Sequence, residues 1–222
     1  MVNIETIRSA LNTKGYFFAT EALQSHENLL HDQIEKLSKS LGTPRRGRHG
    51  KLIEELTPKS EREAPTNSLS KKFGIGRFPF HIDSAHHLTP SRYLVFGCME
   101  AKGEVASTLL IHAKNIELDR VQRDALKTGI FLVKNGRNSF YASIEPRNSK
   151  FIRWDPGCMF PKDNHARIAA DAISRWPNPK SSKTINWSRG SLLVIDNWTM
   201  LHARGVVSDH HGHRSLLRAT IA

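Results

Sequence analysis

From residue 78 onward the chain breaks into short β-forming runs separated by turns, at Phe78 to Asp83, Tyr93 to Met99, Ser107 to His112, Gly129 to Val133, Ser139 to Ile144, Phe151 to Trp154, Leu192 to Asp196 and Ser215 to Ile221. So many short strands hide their apolar faces only by stacking sheet on sheet or by closing into a barrel. Two amphipathic stretches interrupt them, near 116–126 (Leu118, Val121, Ala125) and 164–175 (Ile168, Ala172, Ile173). The pattern predicts a mainly β protein, a β-sandwich or jelly roll, with helices packed outside. Ahead of it, residues 3–12 and 28–41 read as helices, the second with Leu30, Ile34, Leu37 and Leu41 on one face. Gly15 to Ala19, between them, has strand composition.

Residues 43–72 mix Pro, Ser, Gly and both signs of charge, with little apolar content beyond Leu52, Ile53 and Leu56. This reads as a mobile, mostly exposed loop over about 43–75. The length, 222 residues, suits one large domain over 1–222 that buries its core without disulfides. An apolar fraction of 38%, with ten Phe and four Trp, excludes a disordered polyelectrolyte. Cys98 and Cys158 are too few for a disulfide framework or a thiolate metal knuckle, and read as free thiols. The first residues lack a basic segment followed by an apolar one, and no stretch is long enough to span a membrane, so the expected setting is cytoplasmic.

Three pieces carry chemistry. In Phe78-Pro79-Phe80-His81-Ile82-Asp83, a strand aims His81 and Asp83 from one face while Ile82 points into packing. The apolar run 192–196 ends in a polar turn that delivers His202. Two imidazoles and one carboxylate on neighbouring strands form the facial triad of non-haem Fe(II) oxygenases, with adjacent coordination positions left open. Third, Arg214 and Arg218 are four apart and share a strand face, and each offers a carboxylate a bidentate fork.

In this order and spacing the chain resembles the Fe(II)/2-oxoglutarate-dependent oxygenases of the taurine dioxygenase and clavaminate synthase-like family. Twenty-four residues separate Asp83 from Thr108, and 11 separate His202 from Arg214. Asp196 and Asn197 ahead of His202 also match, and the likeness covers about 70–222. The resemblance implies a distorted double-stranded β-helix, a jelly roll of cupin type. It implies His81, Asp83 and His202 as iron ligands, and Thr108 and Arg214 as the seat of the distal carboxylate of 2-oxoglutarate. Arg218 is implied near the substrate or the inner carboxylate of the cosubstrate. Fe(II), 2-oxoglutarate and O2 are the implied cofactors, and oxidation of a C–H bond, with release of succinate and CO2, the implied reaction. A carboxylate at 83 argues against the halogenating branch. The stretch from Thr108 to His202, with 93 intervening residues, is short for the family and implies trimmed substrate insertions.

The expected substrate is a small anionic or zwitterionic molecule such as an amino acid, most simply hydroxylated. The formal charge of +12 keeps a nucleic-acid-directed oxygenase or basic binding module as the competing class, with +6 over 38–80 and +10 over 120–222. Against it, nucleic-acid demethylases of the superfamily carry two arginines six apart on the last strand. A non-catalytic barrel, or a zinc site on the same ligands, is a third class. Several features read as bland. The cluster Arg45, Arg46, Arg48, His49 and Lys51 reads as a solvated loop ahead of a phosphate contact, His210, His211 and His213 as an exposed hairpin ahead of a metal-binding tract, His86 and His87 as structural or solvent-exposed ahead of substrate-facing, and His112, Phe140 and Tyr141 as core. Arg153 meets an anionic group at the pocket mouth or belongs to a turn anchored by Trp154.

Overall fold

The computed structural model describes residues 2–24, 26–47, 50–66, 68–175, 181–205 and 212–222. Its largest sheet runs β1(Tyr16–Ala19), β10(Leu192–Asp196), β4(Tyr93–Lys102), β12(His213–Ile221), β2(Pro44–Arg45), with β3(Ile53–Leu56) also on β12. Opposite it lies a sheet of β11(Met200–Arg204), β5(Thr108–His112) and β9(Lys183–Ile185), and all these pairings are antiparallel. A third small sheet joins β7(Phe140–Ala142), β6(Phe131–Val133) and β8(Met159–Pro161). Two facing sheets with helices outside make the expected jelly roll.

Strand alternation sorts the apolar residues into three cores. In β10 every residue is buried, because Leu193 and Ile195 face the opposite sheet while Leu192 and Val194 face helices. The inter-sheet core adds Leu94, Phe96, Leu110, Ile185, Met200 and Leu216. On the outer face of the large sheet, α1(Ile4–Lys14) and α2(Glu27–Leu41) bury Ile7, Leu11, Leu30 and Ile34. Gly97 of β4 makes this possible, since a Cβ there collides with the Ile34 side chain. The third core packs α4(Arg120–Thr128), α5(Asn164–Arg175) and the small sheet against Ile111, Leu201 and Ala203 on the back of β5 and β11.

Three expectations change. Residues 43–75 are not simply loop, because β2, β3 and α3(Leu69–Phe73) lie there and Ile53 and Ala64 are buried. The acidic residues that made the segment look exposed have partners on β12, Glu54 with Arg218 and Glu55 with the Ser215 hydroxyl. Phe151 to Trp154 is not a strand, and its amides and carbonyls pair with separate loops instead: Ile152 N–H with Trp198, Arg153 N–H with Ile144, and the Trp154 carbonyl with Ile82. Tyr141 is exposed while Phe140 packs inward, since β7 covers one face only.

Candidate metal centre

His81 and His202 meet through the backbone. They exchange two N–H to carbonyl bonds of 2.9 Å each, an isolated antiparallel bridge that brings their rings, tilted by 50°, to 4.3 Å between centroids. The expected strand from 78 to 83 is reduced to this bridge. Beyond it, Ile82 N–H donates to the Trp154 carbonyl and Asp83 N–H to Asn197 Oδ1, so no neighbouring strand continues the ladder. Ser84, at φ 61°, then turns the chain away. His81 and Asp83 converge as expected, but a bridge and a side chain hold them where a sheet was anticipated.

Asn197 does the work of a missing strand. Fully buried, it accepts from Asp83 N–H (2.9 Å) and donates to the carbonyls of Asp83 (3.0 Å) and Ser91 (2.8 Å). Asn197→Ala strands these buried backbone groups, each worth about 1–3 kcal/mol. Urea unfolding of the metal-free protein should therefore show a loss of about 3 kcal/mol, at the upper end of that range.

The ligand atoms point at one another. Asp83 Oδ1 lies 3.8 Å from His81 Nε2 and 3.6 Å from His202 Nε2, and one ligand atom from each residue falls within 4.8 Å of the others. His81 Nδ1 sits 2.9 Å from the Pro79 carbonyl, which accepts its proton and leaves the Nε2 lone pair facing inward. Burial pushes the His81 imidazole down to about 4, so it is neutral and able to ligate at physiological pH. Burial alone raises the Asp83 carboxyl. The Arg218 guanidinium outweighs that and, with the imidazoles, holds it well below the usual carboxylate range. Asp83 Oδ2 accepts from Arg218 Nη1 at 2.7 Å, which leaves Oδ1 as the free donor. One carboxylate oxygen and two imidazoles are the 2-His-1-carboxylate set that fits Fe(II).

Arg214 and Arg218 stand on the inner face of β12 with Leu216 between them. Arg218 Nη2 also binds Glu54 Oε2 at 2.6 Å, so one guanidinium joins two carboxylates. Arg214 is buried without a carboxylate partner among the described residues: Nη1 donates to the Ala106 carbonyl and Nε has no partner. Burial pushes its pKa down to about 10, so it stays charged at neutral pH. Ala106 lies two residues before Thr108, whose hydroxyl accepts from Trp187 Nε1 at 3.0 Å. A buried guanidinium without a carboxylate is a group that a bound anion can complete.

Other expectations resolve locally. Among the described residues Arg153 is buried and engaged by carbonyls of its own chain, while Trp154 is buried as expected. His112 caps the turn at 113–115 by accepting from Lys114 N–H, and His86 stacks on His87. His213 pairs with Glu100 on the surface, whereas His210 and His211 lie outside the described residues. Arg45 and Arg46 donate to the Thr89 and Gly50 carbonyls, and Arg48 and His49 are likewise outside the described residues. Both cysteines are free, and burial pushes both thiols up, Cys98 to about 11. Sequence reasoning missed Glu54, which its charged surroundings concealed.

Known proteins share this fold. The family model described as "Taurine catabolism dioxygenase TauD, TfdA family" matches residues 112–220, a span that holds His202, Arg214 and Arg218. No curated protein matches the chain. Among solved structures, an asparagine oxygenase in complex with Fe(II), 3-hydroxyasparagine and succinate superposes with TM-score 0.76 at 15% identity, over 98% of this chain and 78% of that one. The non-haem iron oxygenase OrfP, with Fe, succinate and (3S)-hydroxy-L-Arg, gives 0.70 at 17%, over 99% and 80%. A taurine dioxygenase from Burkholderia xenovorans gives 0.71 at 14%, over 100% and 82%. With the family match over residues 112–220, the shared fold, and the cluster of His81, Asp83 and His202, the chain is similar to the TauD, TfdA family of dioxygenases and has the fold of the non-haem iron oxygenases.

Proposed function

We propose that this dioxygenase hydroxylates a small zwitterionic molecule, an amino acid or a close derivative, within one catalytic domain spanning 1–222. The observation that carries the substrate class is the chain of charges Glu54, Arg218, Asp83 beside the metal ligands. Arg218 and Glu54 keep 22% and 18% of their side-chain surface accessible, enough to be reached by a small molecule. A substrate carboxylate matches the Arg218 fork, and a substrate ammonium takes the place of Arg218 on Glu54. The hydroxylated amino acids named with the asparagine oxygenase and OrfP structures support the same class.

His81, Asp83 and His202 hold Fe(II), while Thr108 and Arg214 receive the distal carboxylate of 2-oxoglutarate. When bound, the metal with 2-oxoglutarate and O2 supplies the oxidising power, with succinate and CO2 as by-products. The protein's part is to keep the His81 imidazole neutral, to restrict Asp83 to one ligand oxygen by engaging the other, and to orient the substrate through opposite charges. The basic excess of the second half favours this over a polyanion-binding surface, because Arg153, Arg204 and Arg214 are buried. Among the described residues no helix is long and apolar enough to cross a membrane. We place the enzyme in the cytoplasm, where Cys98 and Cys158 remain thiols.

Substrate-dependent succinate release across α-amino acids, the matching amines without carboxylate and the matching acids without ammonium tests this. Turnover should require both charges, and Glu54→Gln should raise KM for the amino acid at least about tenfold, the cost of losing one charge-assisted contact. Equal turnover of the amine-free acids, unaffected by Glu54→Gln, contradicts the assignment.

A further inference from the structure

The segment that carries two of the three metal ligands is not part of a sheet, yet an arginine grips each of its ends. Upstream, Arg204 stands two residues after His202 on β11. Its Nε donates to the Gly76 carbonyl at 2.9 Å, and its Nη2 donates to the carbonyls of Gly74 (2.5 Å) and Gly76. Its guanidinium lies over the Phe78 ring, 3.6 Å from the centroid, and its own carbonyl accepts from Phe78 N–H. Downstream, Arg153 donates through Nη1 to the carbonyls of Ala85 and His87 and through Nη2 to that of Leu88. The Arg153 guanidinium lies over Phe140 and Phe151, 5.1 and 5.2 Å from their centroids.

Both arginines are buried, and neither forms an ion pair among the described residues. A buried guanidinium without a carboxylate is costly, and carbonyl dipoles and ring faces are what compensate it here. Such groups engage several backbone carbonyls at once, through a rigid fork that lysine lacks. The fork is consumed in fixing backbone, at 74–76 on one side of His81 and at 85–88 on the other side of Asp83. We propose that Arg204 and Arg153 are positioning residues for the metal ligands, two clamps that set the His81–Asp83 segment in its ligating geometry before a metal arrives. This rests on His81, Asp83 and His202 being the metal site. It goes further in naming residues, absent from the ligand set, that determine metal affinity through the backbone.

Anaerobic titration with Co(II), whose visible absorption reports coordination geometry, tests the clamps without turnover. Arg204→Met and Arg153→Met should weaken Co(II) binding about 10- to 100-fold, the usual effect of removing a group that orients a ligand, and should alter the absorption band. Arg204→Lys and Arg153→Lys should restore part of the affinity by retaining the charge and one carbonyl bond. Variants with a lowered Tm, but with wild-type Co(II) affinity and spectrum, would show a purely structural role and overturn the proposal. Hydrogen exchange of the wild type covers variants that fail to fold. The amides of Phe78, His81 and Ile82 should be protected to the same degree in metal-free and Co(II)-loaded protein. Free exchange that becomes protected only with Co(II) overturns the proposal. A folded wild type that binds no Co(II) overturns the metal assignment beneath it, and is told apart because the unsubstituted protein itself fails.

Discussion

Asp83→Ala eliminates 2-oxoglutarate turnover and lowers Fe(II) affinity by more than about 100-fold, beyond what loss of a supporting outer contact costs. The reason lies in how the two carboxylate oxygens are divided. Oδ1 faces both imidazoles, and Oδ2 is held by Arg218. Alanine therefore removes the one anionic donor and leaves only the two imidazoles of a 2-His-1-carboxylate set. The fold survives, because Glu54 still neutralises Arg218 when Asp83 is gone. This is the difference between breaking a buried ion pair, which costs about 3–5 kcal/mol, and shortening a three-member chain that keeps one anion on its cation. Calorimetric Fe(II) titration under argon, with a thermal melt of the metal-free variant, separates the two effects. Wild-type metal affinity in the variant contradicts the ligand assignment.

Arg214→Ala separates the cosubstrate from the metal. Its guanidinium is buried with Nε unpartnered and with no carboxylate on it among the described residues, which suits it to receive the distal carboxylate of 2-oxoglutarate that we propose there. Truncating one side of a buried, hydrogen-bonded charge pair costs about 2–5 kcal/mol. That corresponds to a loss of roughly 30-fold to several thousand-fold in 2-oxoglutarate affinity. Fe(II) binding should stay within a few-fold of wild type, because Arg214 contacts Ala106 and none of the ligands. The thermal shift that 2-oxoglutarate gives the wild type should vanish in the variant, since a ligand stabilises only as far as it binds. Equal losses of Fe(II) and 2-oxoglutarate binding contradict the division of roles.

The features legible in the sequence were those written in local periodicity or in residue type at fixed spacing. The apolar runs at Tyr93 to Met99 and Leu192 to Asp196 became β4 and β10, and the helix faces of Ile7, Leu11, Leu30 and Ile34 lie where a 3.6-residue period puts them. The convergence of His81, Asp83 and His202 was legible because the His-x-Asp pair, Thr108, the distant His and Arg214 stand in the order and spacing of a known oxygenase family. β11 was not: Met200-Leu201-His202-Ala203-Arg204 is buried on both faces, so it lacks the alternation that marks a strand with one wet side. Glu54 was hidden because acidic residues in a Pro- and Lys-rich stretch look solvated, whereas its partner lies 164 residues away on β12. Arg153 misled for the opposite reason, and Arg204 was passed over. A basic side chain suggests an anion, but these bind carbonyls, and backbone acceptors leave no trace in a sequence.

The most direct test of the account is anaerobic addition of Fe(II) and then 2-oxoglutarate to the purified protein, read as visible absorption. The wild type should develop the weak charge-transfer band of 2-oxoglutarate chelated to iron. Asp83→Ala should show none at any cosubstrate concentration, and Arg214→Ala should show it only at 2-oxoglutarate concentrations far above those that saturate the wild type. A folded wild type that gives no band at saturating Fe(II) and 2-oxoglutarate contradicts the assignment of this site as a 2-oxoglutarate-binding iron centre.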